Sequence, residues 1–268
     1  MTTLRHIAPP AAAEVEPAQP SHAEFLALRF CLLSQEETVS LLLARSGGPY
    51  RYVITPNAHH VVTVHDALER LLPVYRGAWL SLCDSRILRA MARFDGLTLP
   101  LVTGSDLTAA LIAALNSEDP QRRRRVLIVG PPPDTAAALR SAYRDFAFEI
   151  MPAPGGLAHD AERRRAIARA CLERPWDILF LCVGCPAQEL IAQQIGDLGR
   201  ANGIALCVGA SIDFLTGTRT RAPPWMQKLG LEWSYRLARE PRRLWRRYLV
   251  ESPKVFRIFI SLRSARRR

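Results

Sequence analysis

The sequence has 268 residues, 49% of them apolar, with a formal charge of +11, which is enough to bury a large core and excludes an intrinsically disordered chain. No run reaches the roughly 20 consecutive apolar residues of a membrane-spanning helix. Of 36 Lys/Arg and 25 Asp/Glu, fifteen and three fall in residues 219–268, leaving 21 and 22 for the rest, so a near-neutral body carries a strongly basic tail.

Residues 1–22 are rich in Ala and Pro, lack an apolar core of signal-peptide length, and read as a disordered tail. The first strand candidate is AEFLALRFCLL, residues 23–33. Ser34 followed by Glu37 is a capping box opening the next helix, which Gly47-Gly48 ends. RYVIT is a second strand delivering Thr55-Pro56-Asn57 at its C-terminal end. A helix is expected over His60 to Tyr75, then a third strand, AWLSLC, ending at Asp84. Further strands are expected from Val126, Phe148, Asp177 and Gly203, separated by helical patterns over 134–146 and 161–173. This alternation is the pattern of an α/β fold: a Rossmann-like, mostly parallel sheet with flanking helices. Arg122 to Arg125 read as a solvated loop. After Gly217 no strand pattern is visible. Pro223, Pro224, Pro241 and Pro253 punctuate short helical segments, each near a helix start. The expected division is therefore a tail over 1–22, an α/β body over 23–218 and a basic helical appendage over 219–268.

Ligands of open α/β sheets bind at the C-terminal ends of the strands. Three polar constellations fall there: Thr55-Pro56-Asn57, Asp84, and Gly184-Cys185-Pro186-Ala187-Gln188-Glu189. The third exposes backbone N–H groups at a helix start, which suits a diphosphate or another anion. Each also has a plainer reading, because a Thr-Pro-Asn turn can be only a turn and Asp84 can be only a helix cap. Cys182 and Cys185 form C-x-x-C, but no second ligand pair accompanies them; most of the six cysteines lie in apolar runs and read as packing, with a redox thiol at Cys185, before Pro186 at a helix start, as the alternative. No P-loop, G-x-G-x-x-G or D-x-D sequence is present.

The stretches ITPNAHHVV, CDSRIL, LVTGSDL, WDILFLCVGCPAQE, CVGASIDFLTGT and RAPPWMQKLGLEWSYRLAREPRRLWRRYL occur in that order. On them the chain resembles the teichoic-acid N-acetylmannosaminyltransferase family, which includes enterobacterial-common-antigen mannosaminuronosyltransferases and capsule and exopolysaccharide enzymes. The resemblance runs from about Ala23 to Phe259. It implies an inverting transfer from a UDP- or GDP-sugar to a polyprenyl-diphosphate-linked saccharide, with no metal or other cofactor. It also implies that Asp84 is the general base and that Thr55 and Asn57 hold the reacting groups. Gly104, Ser105 and Asp106 of LVTGSDL, with Gly184, Gln188 and Glu189, would contact substrate, and Arg236, Arg243 and Arg246 would face the leaving diphosphate. Arg242, Arg247, Lys254, Arg257 and Arg266 to Arg268 then read as contacts with an anionic membrane surface at the inner face of the cytoplasmic membrane. Ser85 and Ala187 stand where the family often has Gly and Lys. Nucleic acid is not the expected partner, although a nucleic-acid-binding module or a silent scaffold using the basic tail is the alternative. The donor sugar and any homo-oligomer stay open.

Overall fold

The computed structural model describes residues 20–119, 123–144 and 146–266. The expectation of disorder over 1–22 therefore falls mostly outside the described residues. Six strands form one sheet, parallel throughout: β3 (Arg51–Ile54), β4 (Leu80–Ser81), β5 (Val126–Val129), β6 (Phe148–Met151), β7 (Ile178–Leu181) and β8 (Ile204–Cys207). Their order is β4-β3-β8-β7-β5-β6. Alternate residues of the central strands enter opposite cores. Ile54, Val129, Leu181 and Cys207 lie in one core, while Val53, Ile128, Phe180 and Leu206 lie in the other. Both faces are covered, so the strands read as continuous apolar runs rather than alternating ones.

Two segments differ from the sequence reading. The single strand expected over 23–33 is an antiparallel hairpin of β1 (His22–Phe25) and β2 (Leu28–Cys31). Its turn residues Leu26 and Ala27 have φ of 52° and 65°, which sequence rules reserve for Gly or Asn. Burial of Phe25, Leu26, Leu28 and Phe30 offsets that strain. The helix expected over 60–75 is two, α2 (Ala58–Asp66) and α3 (Leu68–Arg76), broken at Ala67 with φ −143° and ψ 50°. The break lets both helices turn apolar sides to one core, through Val61, Val62 and Val64 in α2 and Leu71, Val74 and Tyr75 in α3.

The same core takes α4 (Arg86–Phe94), α7 (Ala161–Leu172) and α8 (Ala187–Asp197). The opposite face takes α1 (Gln35–Arg45), α5 (Gly104–Asn116), α6 (Pro133–Ala142) and α9 (Ser211–Leu215). Within the arginine run, Arg124 pairs with Glu118 and donates to Leu43 O, while Arg125 pairs with Asp177 at 2.9 Å. These two side chains are tethered rather than simply solvated, because they tie the start of β5 to its neighbours; Arg122 lies outside the described residues.

Beyond Gly217 the described chain is helical: α10 (Pro224–Lys228), α11 (Glu232–Arg239), α12 (Pro241–Trp245), a π-helical turn over Arg246–Glu251, and α13 (Lys254–Arg266). It is tied to the body at both ends. Arg219 pairs with Asp213 at 3.1 Å and Arg221 with Asp106 at 2.5 Å. At the far end Val255 and Phe259 enter the core, and Phe259 packs against Phe25 with ring centroids 6.0 Å apart and planes tilted by 57°. Lys254 reaches Asp66 at 3.1 Å, and Arg263 lies 4.5 Å over the Phe94 ring. Among the described residues no helix is long and apolar enough to cross a membrane.

Candidate active site

Between these two anchors the basic segment roofs a cleft of about 470 Å³ at the C-terminal ends of β3 and β4. Its floor carries Asn57, Asp84 and Ser105, and its roof Arg221, Glu232, Trp233, Arg236, Arg247 and Tyr248.

Asp84 follows β4, and its N–H donates to Pro56 O at 3.0 Å, which pins one strand tip to the next. The cap of α4 is not Asp84 but Ser85, whose Oγ accepts the Leu88 N–H at 3.2 Å. The carboxylate is thus left to the cleft. It accepts one hydrogen bond, from the Gly104 N–H at 3.3 Å. Burial pushes its pKa up to about 7, and Glu232 across the cleft adds to the rise, while the Gly104 N–H, His60 and Arg236 oppose it. A carboxylate poised there exchanges protons at neutral pH.

Two guanidinium groups face the same space without a carboxylate partner among the described residues. Arg236 lies 5.2 Å over the Phe214 ring. Arg247 lies 5.7 Å over Tyr248, and burial together with its positive neighbours Arg236 and Arg243 lowers its pKa. A third, Arg221, is taken by Asp106, which also accepts from the Thr103 hydroxyl at 2.7 Å. The sequence reading placed Arg243 and Arg246 in the cleft and Arg247 at the membrane. The structure places them otherwise. Arg243 pairs with Glu240 at 2.5 Å and Arg246 with Glu251 at 3.3 Å, with side chains 51% and 75% exposed. Neither lines the cleft. Arg243 is held outward by its i,i+3 partner Glu240, and for Arg246 and Arg247 the π-helical turn, with its wider winding, shifts the side chains after Trp245 away from regular α-helical spacing.

The other expected residues divide into cleft wall and buried frame. Asn57 is on the wall and caps α2, its Oδ1 accepting from the N–H groups of His59 and His60 at 3.1 and 3.4 Å. Ser105 is on the wall, while Asp106 is held at the rim by its two partners. Thr55 is buried, its hydroxyl donating to Cys207 O at 3.2 Å across the join of β3 and β8. Gly104 sits where a Cβ would come 3.1 Å from Thr55 Oγ1, so its lack of a side chain admits the N–H that holds Asp84. Gly184, at φ 82°, supplies the left-handed turn after β7. Gln188 does not reach the cleft: its Oε1 accepts the Gly209 N–H at 3.0 Å and its Nε2 donates to Glu189 at 2.8 Å. Glu189 is fully buried against His60, with Oε1 3.4 Å from Nε2. Burial opposes charge on His60, yet Cys185 and Glu189 beside it hold its pKa up to about 10. Burial drives that of His59 down to about 3, helped by Arg247 and His60.

Arg221, Glu232, Trp233 and Tyr248 are cleft residues without a site role in the sequence reading, and Arg247 is one that it placed at the membrane instead. All lie in the RAPPW…WRRYL stretch.

Fold and site define a Rossmann-like α/β protein with a ligand cleft at the strand tips, lined by the carboxylates of Asp84 and Glu232 and roofed by cationic and aromatic groups. The sequence model of the glycosyl transferase WecG/TagA/CpsF family matches residues 23–268, and the chain belongs to that family. It is accordingly a glycosyltransferase of cell-surface polysaccharide synthesis.

Proposed function

We propose that the chain transfers a sugar, with inversion, from a UDP- or GDP-sugar to a hydroxyl of a polyprenyl-diphosphate-linked saccharide. The observation that carries this is the opposition, in one cleft, of Asp84 at a pKa of about 7 and the carboxylate-free guanidinium groups of Arg236 and Arg247.

Asp84 accepts the acceptor hydroxyl proton as that oxygen attacks the anomeric carbon on the face opposite the departing nucleotide. One carboxylate suffices for an inverting displacement whose leaving group is a phosphate. Negative charge grows on the leaving diphosphate, and the two guanidinium groups supply donors for it, so the step needs no resident metal. The Gly104 N–H fixes the base, and Thr55 and Gln188 act below it by holding the strand tips rather than by touching substrate.

The roof also accounts for a lipid acceptor. Leu249 and Phe256 line the cleft and are at the same time 56% and 49% exposed. Trp225, Trp245, Val250 and Ile260 of the same basic segment are also exposed, as are Arg242 and Arg257, so the segment offers water both apolar and cationic side chains. Such a segment docks on an anionic bilayer and leaves a prenyl chain an apolar path from bilayer to cleft.

The test is incubation of purified protein with a panel of UDP- and GDP-sugars and a prenyl-diphosphate saccharide in anionic vesicles, wild type beside Asp84→Asn. Transfer with inverted configuration is expected from wild type, with a loss of at least about a hundredfold in the variant. Undiminished transfer by Asp84→Asn removes the base assignment, and no transfer with any donor removes the reading.

A further inference from the structure

A second cluster of reactive side chains lies beside the cleft and takes no part in the transfer just described. His60 on the first turn of α2, Cys185 in the turn after β7, and Glu189 on the first turn of α8 each direct one donor atom inward. The three atoms lie within 4.8 Å of one another. His60 is 8% exposed by its side chain and Glu189 is completely buried. Even so, His60 Nε2 and Glu189 Oε2 have no hydrogen-bond partner. Nε2 approaches only Oε1, at 3.4 Å, and Oε1 is already taken by Gln188, so Nε2 and Oε2 stay unpartnered in a buried place where an unsatisfied polar group is costly.

The geometry points to a site for a divalent metal ion of the zinc class, held by His60 Nε2, Cys185 Sγ and Glu189 Oε2. Thiolate, imidazole and carboxylate together select zinc over magnesium or calcium, which prefer all-oxygen sites. A thiolate and a carboxylate also balance the ion's two charges. The donors, up to 4.8 Å apart, need to close by up to about 1.3 Å, since tetrahedral zinc ligands stand roughly 3.5 Å apart.

Each ligand has the neighbour that orients a metal ligand. His60 Nδ1 lies 2.9 Å from Asn57 Oδ1 and 3.3 Å from the Asn57 N–H; in the tautomer that donates to Oδ1 the Nε2 lone pair faces the cluster, and the ion displaces the proton that His60 otherwise holds there. Gln188 donates to Glu189 Oε1 at 2.8 Å, leaving Oε2 for the ion. The Tyr75 hydroxyl lies 3.5 Å from Cys185 Sγ. Three protein ligands leave one coordination position for water. Bound there, the ion would clamp the tips of β3 and β7, one of which carries Asn57 on the cleft wall.

The full-length protein, stripped with a chelator and dialysed, is titrated with Zn²⁺ and, separately, Co²⁺. Wild type should take up one equivalent of zinc, gain thermal stability as zinc is added, and show a near-ultraviolet thiolate-to-cobalt charge-transfer band. Cys182→Ser should behave as wild type. Cys185→Ala should lose the band, the zinc-dependent rise in Tm and at least about tenfold in affinity. Cys185→His should keep zinc but lose the band. Because Cys185 is half-buried at a turn, a metal-free melt like that of wild type checks that each variant is folded. Wild type without a zinc-dependent Tm rise, or Cys185→Ala binding zinc as wild type does, overturns the site. Either result leaves the transfer reading intact, since Asp84, Arg236 and Arg247 are not ligands.

Discussion

At the scale of single residues, the chemistry rests on how Asp84 is kept from an ordinary carboxylate pKa. Burial supplies most of the rise, and Glu232, contributed by the roof, adds to it. The rate of transfer should therefore increase with pH through about 7 as the base ionises. Glu232→Gln removes a negative neighbour, lowers the pKa of Asp84 and should move the midpoint of the kcat–pH profile to lower pH; an unmoved midpoint means that Glu232 does not act on the base. Stability follows the same shift with its sign worked out. The folded state holds the Asp84 proton more tightly than the unfolded chain does, so stability falls as pH rises from about 4 towards 7 and stays lower above. Asp84→Asn removes that loss and should melt higher than wild type at pH 8, a gain readable by calorimetry. The sequence made Asp84, Thr55 and Asn57 legible because a polar residue directly after an apolar strand lies at a strand tip. It did not reveal Arg247 or Glu232, whose roles depend on which way short helices face after folding.

At the scale of elements, strand runs and caps carried most of the information. All six strands of the parallel sheet lie within the apolar runs that announced them, and Ser34–Glu37 is a capping box in the structure. The hairpin of β1 and β2 was hidden because its turn uses Leu26 and Ala27, whose side chains give no turn signal. Similarly, Ala67 carries no breaker chemistry, so the division of α2 from α3 is visible only once their common core is known. Where glycine marks an element boundary, the constraint is steric and strong. Gly203 enters β8 at φ 95°, and a Cβ there would lie 2.5 Å from Asp177 O. Gly203→Ala should destabilise the fold by about 2–3 kcal/mol, measurable as a lower denaturant midpoint.

At the scale of the whole molecule, the basic segment is anchored at one end by Arg221–Asp106 and at the other by Val255 and Phe259 in the core. The charge split announced such a segment, and proline spacing announced its short helices. Arg236 was legible as a cleft residue, whereas the choice between Arg246 and Arg247 was not, because a π-helical turn interrupts the spacing on which helical faces are counted. The proposed site therefore spans the strand tips of the body and the helices of the roof. The most direct measurement is single-turnover transfer at saturating donor and acceptor, comparing Arg247→Ala with Arg243→Ala. Arg247→Ala should slow the step about 10²–10³-fold, as expected for losing one preorganised donor to a developing anion, while Arg243→Ala should stay near wild type. The opposite ranking would contradict the account.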